Sequence, residues 1–186
     1  IMIHSNSAGI LQFWLSREDK KISYKIFFNL LLNTIGDKGT LVVPTYNYDF
    51  AAGKTFVHDA YNSQVGELTN FFLKEYKNQR SLDPIFSHAI IGNLKKTLLN
   101  TKTQTCFGNQ SIFKKFHDYN FKIFGFCSPL NSMTFLHYIE REMKIKYRYN
   151  KNFVSTFIKK GKKKKIKLNY FVGKKSIDYR IKNYKL

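Results

Sequence analysis

Short apolar runs of strand type alternate with helical periodicity along the first 140 residues, and this alternation limits the possible folds more than any other feature. The strand-type runs fall at residues 1–3, 40–43, 88–91 and 122–127. Between these runs, two segments have apolar residues at helical spacing. The first segment has Ile22, Ile26, Phe27, Leu30 and Leu31. The second begins at Ser63, a predicted N-cap, and has Val65, Leu68, Phe71 and Phe72. Strands that alternate with helices favour a layered α/β fold.

The last third of the chain has a different pattern, which predicts a β-hairpin. Residues 153–158 and 165–171 are rich in β-formers, and Gly161 lies in the lysine-rich stretch between them. We therefore predict one α/β domain over residues 1–186, with a β-rich basic segment at 147–186. The chain lacks an initiator methionine and has no closing signal, so we expect it to be part of a longer protein.

The net charge of +20 is concentrated in this basic segment. Residues 141–186 hold 17 Lys and Arg against two acids, whereas residues 1–140 hold 15 against 10. A positive field attracts phosphate-bearing partners such as nucleic acid, a membrane surface, coenzyme A or nucleotide sugars, although a bias in composition explains the charge equally well.

Other sequence features restrict the class of protein further. No apolar run is long enough to span a membrane. Cys106 and Cys127 fit neither a disulfide scaffold nor a zinc spacing, so we expect buried cysteines in a protein of the reducing cytoplasm. The glycine-rich loops that bind nucleotides are absent.

Residues 122–140 predict a strand, a tight turn and a helix, the arrangement that places chemistry at the end of a strand in α/β folds. His137 would lie in the second turn of this helix, and Glu140, three residues later, on the same face. A lone helical histidine is more often structural than catalytic, and further metal ligands beside this pair are not evident.

Several polar residues lie in predicted loops next to strand ends. Hydroxyl groups and a guanidinium in such loops bind phosphate or carbonyl oxygens, although turn formation explains them as well. These residues are Ser5, Ser7, Arg80, Ser81 and Ser87.

Six segments, taken in order, resemble the aminoglycoside 3-N-acetyltransferase family. They are residues 3–5, 39–46, 63–68, 80–87, 106–113 and 134–140, and residues 147–172 resemble the family's β-rich segment. The resemblance implies a three-layer α/β/α sandwich and acyl transfer from acetyl-CoA or another acyl-CoA to an amine on a sugar ring, with no metal. It implies that His137 is the general base, because a neutral imidazole can take the proton of the attacking amine.

The resemblance also suggests roles for other residues. Family members that act on antibiotics commonly have an aspartate six residues before the histidine, where this chain has Asn131. An amide cannot stabilise imidazolium as a carboxylate does, so we expect Asn131 or Glu140 to orient His137. We expect the coenzyme to contact His4, Ser5, Ser7, Arg80, Ser81 and Ser87, and the acceptor to contact Tyr46, Asn47 and Asp49.

The charge guides the choice of acceptor. A chain of +20 suits an anionic, nucleotide-linked amino sugar of surface-polysaccharide synthesis better than a polycationic aminoglycoside, the acceptor in antibiotic resistance. Two other interpretations stay open: a basic nucleic-acid-binding protein and an inactive, truncated transferase. No nucleic-acid motif supports the first. A homo-oligomer is also open.

Overall fold

A four-stranded mixed sheet forms the centre of the fold. The computed structural model of the chain describes residues 1–16, 23–60, 62–77 and 79–174. The strands are β1 (Met2–Ser5), β2 (Thr40–Pro44), β4 (His88–Gly92) and β5 (Ile123–Phe126), in the order β4-β2-β1-β5. β1 is parallel to β2 and β5, and β4 is antiparallel to β2. The carboxyl ends of β1, β2 and β5 therefore meet at one edge of the sheet.

Helices cover both faces of this sheet. One face packs against α1 (Ser7–Leu15), α2 (Tyr24–Ile35) and α3 (Glu67–Glu75) through Ile3, Leu41 and Val43. The other face packs against α4 (Lys95–Leu99), α5 (Ile112–Asp118) and α6 (Leu136–Glu142) through Met2, Val42 and Ile90. Successive strand residues point to opposite faces, which is why neighbours such as Met2 and Ile3 belong to different cores. The predicted α/β/α sandwich is confirmed.

A second sheet packs on the α4–α6 side. It contains β3 (Phe56–Val57), β6 (Arg148–Lys159) and β7 (Lys162–Gly173), in the order β3-β6-β7. β6 and β7 form the predicted hairpin, with positive φ angles at Lys160 (49°) and Gly161 (72°) in a two-residue turn. Its strands are longer than predicted, and residues 175–186 of the predicted basic segment lie outside the described residues.

Three local predictions need correction. Two helices, α1 and α5, were not predicted from the sequence. Ser63 does not cap α3: its Oγ accepts a hydrogen bond from the backbone N of Val65, and Gly66 holds the N-cap position. Cys127 is exposed, whereas Cys106 is buried as expected.

His137 also lies one turn earlier in its helix than predicted. Residues 130–132 form a separate 3₁₀ turn, so α6 begins only at Leu136. In the described part of the chain, no helix is long and apolar enough to cross a membrane.

Candidate active site

A cavity of about 190 Å³ opens at the sheet edge where β1 and β2 end. This is the edge at which open α/β sheets bind their ligands. Hydroxyl groups, one imidazole and apolar side chains form the wall, and none of the lining residues carries a carboxylate. They are Ile3, His4, Ser5, Pro44, Tyr46, Tyr48, Val65, Thr69, Ser128, Ser132 and Thr134.

His137 and Glu140 form a hydrogen-bonded pair next to this cavity. The backbone N of His137 donates to the carbonyl of Thr134, a residue of the cavity wall, at 3.0 Å. His137 Nδ1 lies 2.7 Å from Oε2 of Glu140. Because α6 brings residues three apart onto one face, the helix itself makes this contact.

Two further residues hold the Glu140 carboxylate. The hydroxyl of Tyr147 donates to Glu140 Oε1 at 2.6 Å, and Nε of Arg148 lies 2.7 Å from Glu140 Oε2. Both follow α6 closely in the chain, at the start of the long hairpin. The hairpin therefore helps to fix the carboxylate that positions the imidazole.

The pKa values of the pair follow from these contacts. Burial alone would raise the pKa of Glu140, but the hydrogen bonds from Tyr147 and His137 and the charge of Arg148 hold it below its ordinary value. Burial and then Arg148 lower the pKa of His137, against the opposing effect of Glu140. At neutral pH the pair is thus an ionised carboxylate and a neutral imidazole, whose Nδ1–H donates to Glu140.

Asn131 takes no part in this arrangement. It lies exposed in the 3₁₀ turn, and its side chain makes no hydrogen bond within the described ranges. Of the two residues predicted to orient His137, the structure brings only Glu140 into contact with it.

The predicted coenzyme residues separate into two groups. His4 and Ser5 line the cavity, and burial lowers the pKa of His4 to about 4, so its ring is neutral. The Ser7 side chain lies outside the described part of the chain. The remaining three, Arg80, Ser81 and Ser87, lie near the ends of β2 and β4, but they are buried and absent from the cavity wall, so their contact with the coenzyme stays a prediction.

Internal hydrogen bonds explain why these three are buried. Arg80 Nε donates to Ser87 Oγ at 2.9 Å, and Arg80 Nη2 donates to the carbonyl of Thr45 at 2.7 Å. The Ser81 hydroxyl accepts from the backbone N of His88 at 2.9 Å. This network joins the Arg80 segment to the ends of β2 and β4.

The predicted acceptor residues separate in the same way. Tyr46 lines the cavity, and its hydroxyl lies 3.3 Å from Nε2 of the buried His88. Asn47 is buried and accepts from the backbone N of Asp49, which closes a local turn, and Asp49 pairs with Lys54 at 3.4 Å. Neither Asn47 nor Asp49 reaches the cavity wall.

Sequence reasoning missed several residues of the site. Thr134 lies three residues before His137, so helical spacing could have indicated it. Tyr147 and Arg148 reach Glu140 only because the chain reverses after α6, and no local spacing signals that contact. The wall residues Tyr48, Ser128 and Ser132 were equally unmarked by any motif.

Comparison with known proteins gives a family match. The family model described as aminoglycoside 3-N-acetyltransferase matches residues 2–180. No curated protein matches the chain.

Solved structures match with high structural similarity and low sequence identity. AAC-VIa bound to sisomicin has a TM-score of 0.74 at 18% identity, covering 92% of this chain and 68% of its own. YokD from Bacillus subtilis has a TM-score of 0.71 at 17% identity, with 91% and 73% covered. AAC-IIIb in a binary complex with CoASH has a TM-score of 0.71 at 18% identity, with 92% and 68% covered. At such identity the likeness shows a shared fold.

Proposed function

The chain belongs to the aminoglycoside 3-N-acetyltransferase family, and we propose that it transfers an acyl group from acetyl-CoA or another acyl-CoA to an amine of an amino sugar. The observation that carries the proposal is the His137–Glu140 pair, held at 2.7 Å beside the cavity at the strand ends. A neutral imidazole with one nitrogen fixed on a carboxylate is the arrangement that general base catalysis requires.

Each member of the pair has a defined role in the proposed reaction. Glu140 accepts the Nδ1–H of His137 and so leaves the lone pair on Nε2. As the amine nitrogen bonds to the thioester carbonyl carbon, Nε2 takes its proton. The carbon–sulfur bond then breaks, and the proton passes to the departing thiolate, which leaves as a thiol. Glu140 stabilises the transient imidazolium.

Other residues place the substrates around this pair. His4 and Ser5 in the cavity wall are the residues we propose to contact the coenzyme, and Tyr46 to contact the acceptor. Arg148 Nη2 lies 3.4 Å from His137 Nε2, so the amine must replace this contact in the productive complex.

For the acceptor we propose an aminoglycoside. The description of the family supports this choice, as does a similar structure that contains sisomicin. These comparisons give more support to the aminoglycoside than to the nucleotide-linked sugar that charge alone ranked first.

A nucleotide-linked amino sugar is the second candidate, because one observation favours it. The chain carries a net charge of +20, and no carboxylate lines the cavity among the described residues. A polycation is repelled by such a surface, whereas a diphosphate is attracted to it.

Release of free thiol from acetyl-CoA tests the proposal and separates the two acceptors. The purified chain is incubated with sisomicin, with a nucleoside-diphosphate amino sugar, or with no acceptor, and the products are identified by mass spectrometry. We expect thiol release and acetylated product with sisomicin. Product from the nucleotide sugar alone would establish the second candidate, and no product with either would contradict both.

A further inference from the structure

A second cavity, of about 300 Å³, lies under the tip of the β6–β7 hairpin. Its wall combines the 3₁₀ turn at His58, the segment around Arg80, the end of α4 at Asn100 and the hairpin residues Lys159 and Lys160. Among the described residues, none lines both this cavity and the one beside His137. The volume is at the lower end of the range for small-molecule sites.

Arg80 is a buried cation in this wall with no anionic partner. Its side chain is 3% exposed, and its guanidinium stacks on the ring of Phe56 at 4.8 Å. Nε and Nη2 donate to Ser87 and Thr45, which are neutral, and the buried Nη1 has no hydrogen-bond partner within the described ranges. An uncompensated buried charge is costly, so this position favours an anion.

The hairpin tip adds two further cations. Lys159 and Lys160 both line the cavity, and neither ammonium forms an ion pair within the described part of the chain. The positive charge of Lys159 lowers the pKa of both His58 and Asp59, which are two other residues of the cavity wall.

One carboxylate, that of Asp59, also lies in the wall, but both of its oxygens are engaged. Oδ1 is 3.0 Å from Nδ1 of His58, and Oδ2 accepts from the backbone N of Lys160 at 2.5 Å. His58 is held between two contacts, because its Nε2 lies 3.1 Å from the carbonyl oxygen of Arg80. Three cations against one engaged carboxylate leave the cavity with a net positive charge of two.

We propose that this second cavity binds the phosphoryl group of a small phosphorylated molecule, held by the Arg80 guanidinium and the Lys159 and Lys160 ammonium groups. A phosphoryl dianion balances the net charge of the wall, and its oxygens accept from a guanidinium and from ammonium groups. The volume leaves room for a further group beyond the phosphate, against the apolar side chains of Leu82 and Leu99. The site is separate from the one proposed for acyl transfer.

Titration calorimetry of the full chain with inorganic pyrophosphate tests this site. The test variant is Lys159→Gln with Lys160→Gln, which removes two charges at the hairpin tip, one half-buried and one exposed, and leaves the buried Arg80 in place. The matched control is Lys163→Gln with Lys165→Gln, which removes the same charge from exposed positions of β7 outside the cavity. We expect saturable binding that the test variant weakens about tenfold or more, because two charge-assisted contacts to the phosphoryl oxygens are lost, and that the control leaves nearly intact.

Three results would overturn the proposal. Equal weakening by the test and control variants would show only general attraction to a basic surface. Absence of saturable binding by the folded wild-type chain would exclude the site. A third arm adds saturating acetyl-CoA: unchanged pyrophosphate affinity is expected of two separate sites, and displacement would contradict their separation. Because the readout is binding of pyrophosphate, these outcomes can be interpreted even if the chain does not catalyse acyl transfer.

Discussion

Nη2 of Arg148 lies 3.4 Å from Nε2 of His137, the nitrogen that must accept a proton if His137 is the base. The same guanidinium places its Nε 2.7 Å from Oε2 of Glu140. Arg148 therefore contacts both members of the pair. It helps to hold the carboxylate ionised, and its charge adds to burial in lowering the pKa of His137.

Replacing Arg148 with Gln should move the acid limb of the pH–rate profile to higher pH. A base works only when it is deprotonated, so the rate rises as pH passes upward through its pKa. Loss of the positive charge raises the pKa of His137, so the rate then rises at a higher pH. The measurement is kcat/KM for thiol release between about pH 5 and 8.

Arg141→Gln is the control for this shift. Arg141 donates to Asn150 Oδ1 at 2.9 Å and makes no hydrogen bond to His137 or Glu140. Its acid limb should match that of the wild type. An acid limb that stays in place or moves to lower pH in Arg148→Gln would contradict the electrostatic role of Arg148.

His137→Ala should reduce turnover by about two to four orders of magnitude, the usual contribution of a general base. The loss should appear in kcat, with little change in the affinity for acetyl-CoA, because the imidazole acts on the amine. His117→Ala is the matched control, since the His117 side chain is 64% exposed and lies on α5. Turnover that survives in His137→Ala would remove this residue from the mechanism.

Glu140→Gln and Asn131→Ala separate the two residues predicted to orient His137. The Gln side chain can still accept the Nδ1–H but carries no charge to stabilise imidazolium, so we expect a loss in kcat of about ten- to hundredfold. Asn131 is exposed and makes no hydrogen bond to His137, so its truncation should leave kcat unchanged. If Asn131→Ala had the larger effect, the orienting role would pass to Asn131.

Much of the central sheet could be predicted because its strands carry their own signals. Apolar runs at β1, β2, β4 and β5 and the turn chemistry beside them are local properties. The helix α1 was missed for a local reason too: it follows a polar stretch at residues 4–7 that is typical of a loop, and the Asn6 side chain, which accepts from the backbone N of Ala8, caps the helix there.

The candidate site was predictable only in part, because burial is not a local property. His137 and Glu140 are three residues apart on one helix, so their contact follows from sequence spacing. Arg80 is the opposite case. Its predicted loop position gave no sign of burial, but hydrogen bonds to Ser87 and Thr45, at the ends of β4 and β2, hold it inside the fold, and Thr45 lies 35 positions away in the chain.

Gly9→Ala should destabilise the fold at the point where α1 passes the loop after β5. A Cβ at Gly9 would lie 1.9 Å from Cβ of Cys127, so the helix or the loop must move. Overpacking of this kind costs about 1–3 kcal/mol in unfolding free energy, measured by urea titration. Cys127 has a positive φ of 50°, which glycine adopts freely, so adding Cys127→Gly should restore most of the loss. No rescue by the second substitution would show that the cost has another origin.

Asp83→Asn should stabilise the protein, and more so as pH rises. Asp83 is buried, and its Oδ1 accepts from the backbone N of Ile85 and of Phe86, both at 2.8 Å. Burial raises the pKa of Asp83 from 3.8 to about 6, although these two hydrogen bonds oppose the shift. An asparagine keeps an oxygen for both backbone donors and carries no charge that must be buried.

The sign of the effect follows from proton binding. Between about pH 4 and pH 6 the folded chain keeps the Asp83 proton while the unfolded chain releases it, so this residue makes wild-type stability fall as pH rises. Above about pH 6 the penalty is complete, at about 3 kcal/mol for a shift of about two pKa units.

Other groups, including His4, titrate in the same window, so the informative quantity is the difference in unfolding free energy between Asp83→Asn and the wild type. That difference should be near zero at about pH 4 and largest at about pH 7. Asp118 is exposed and its pKa is lowered, so the stability gained over the wild type should not increase with pH in Asp118→Asn. Parallel stability curves for Asp83→Asn and the wild type would mean that the folded chain does not retain this proton.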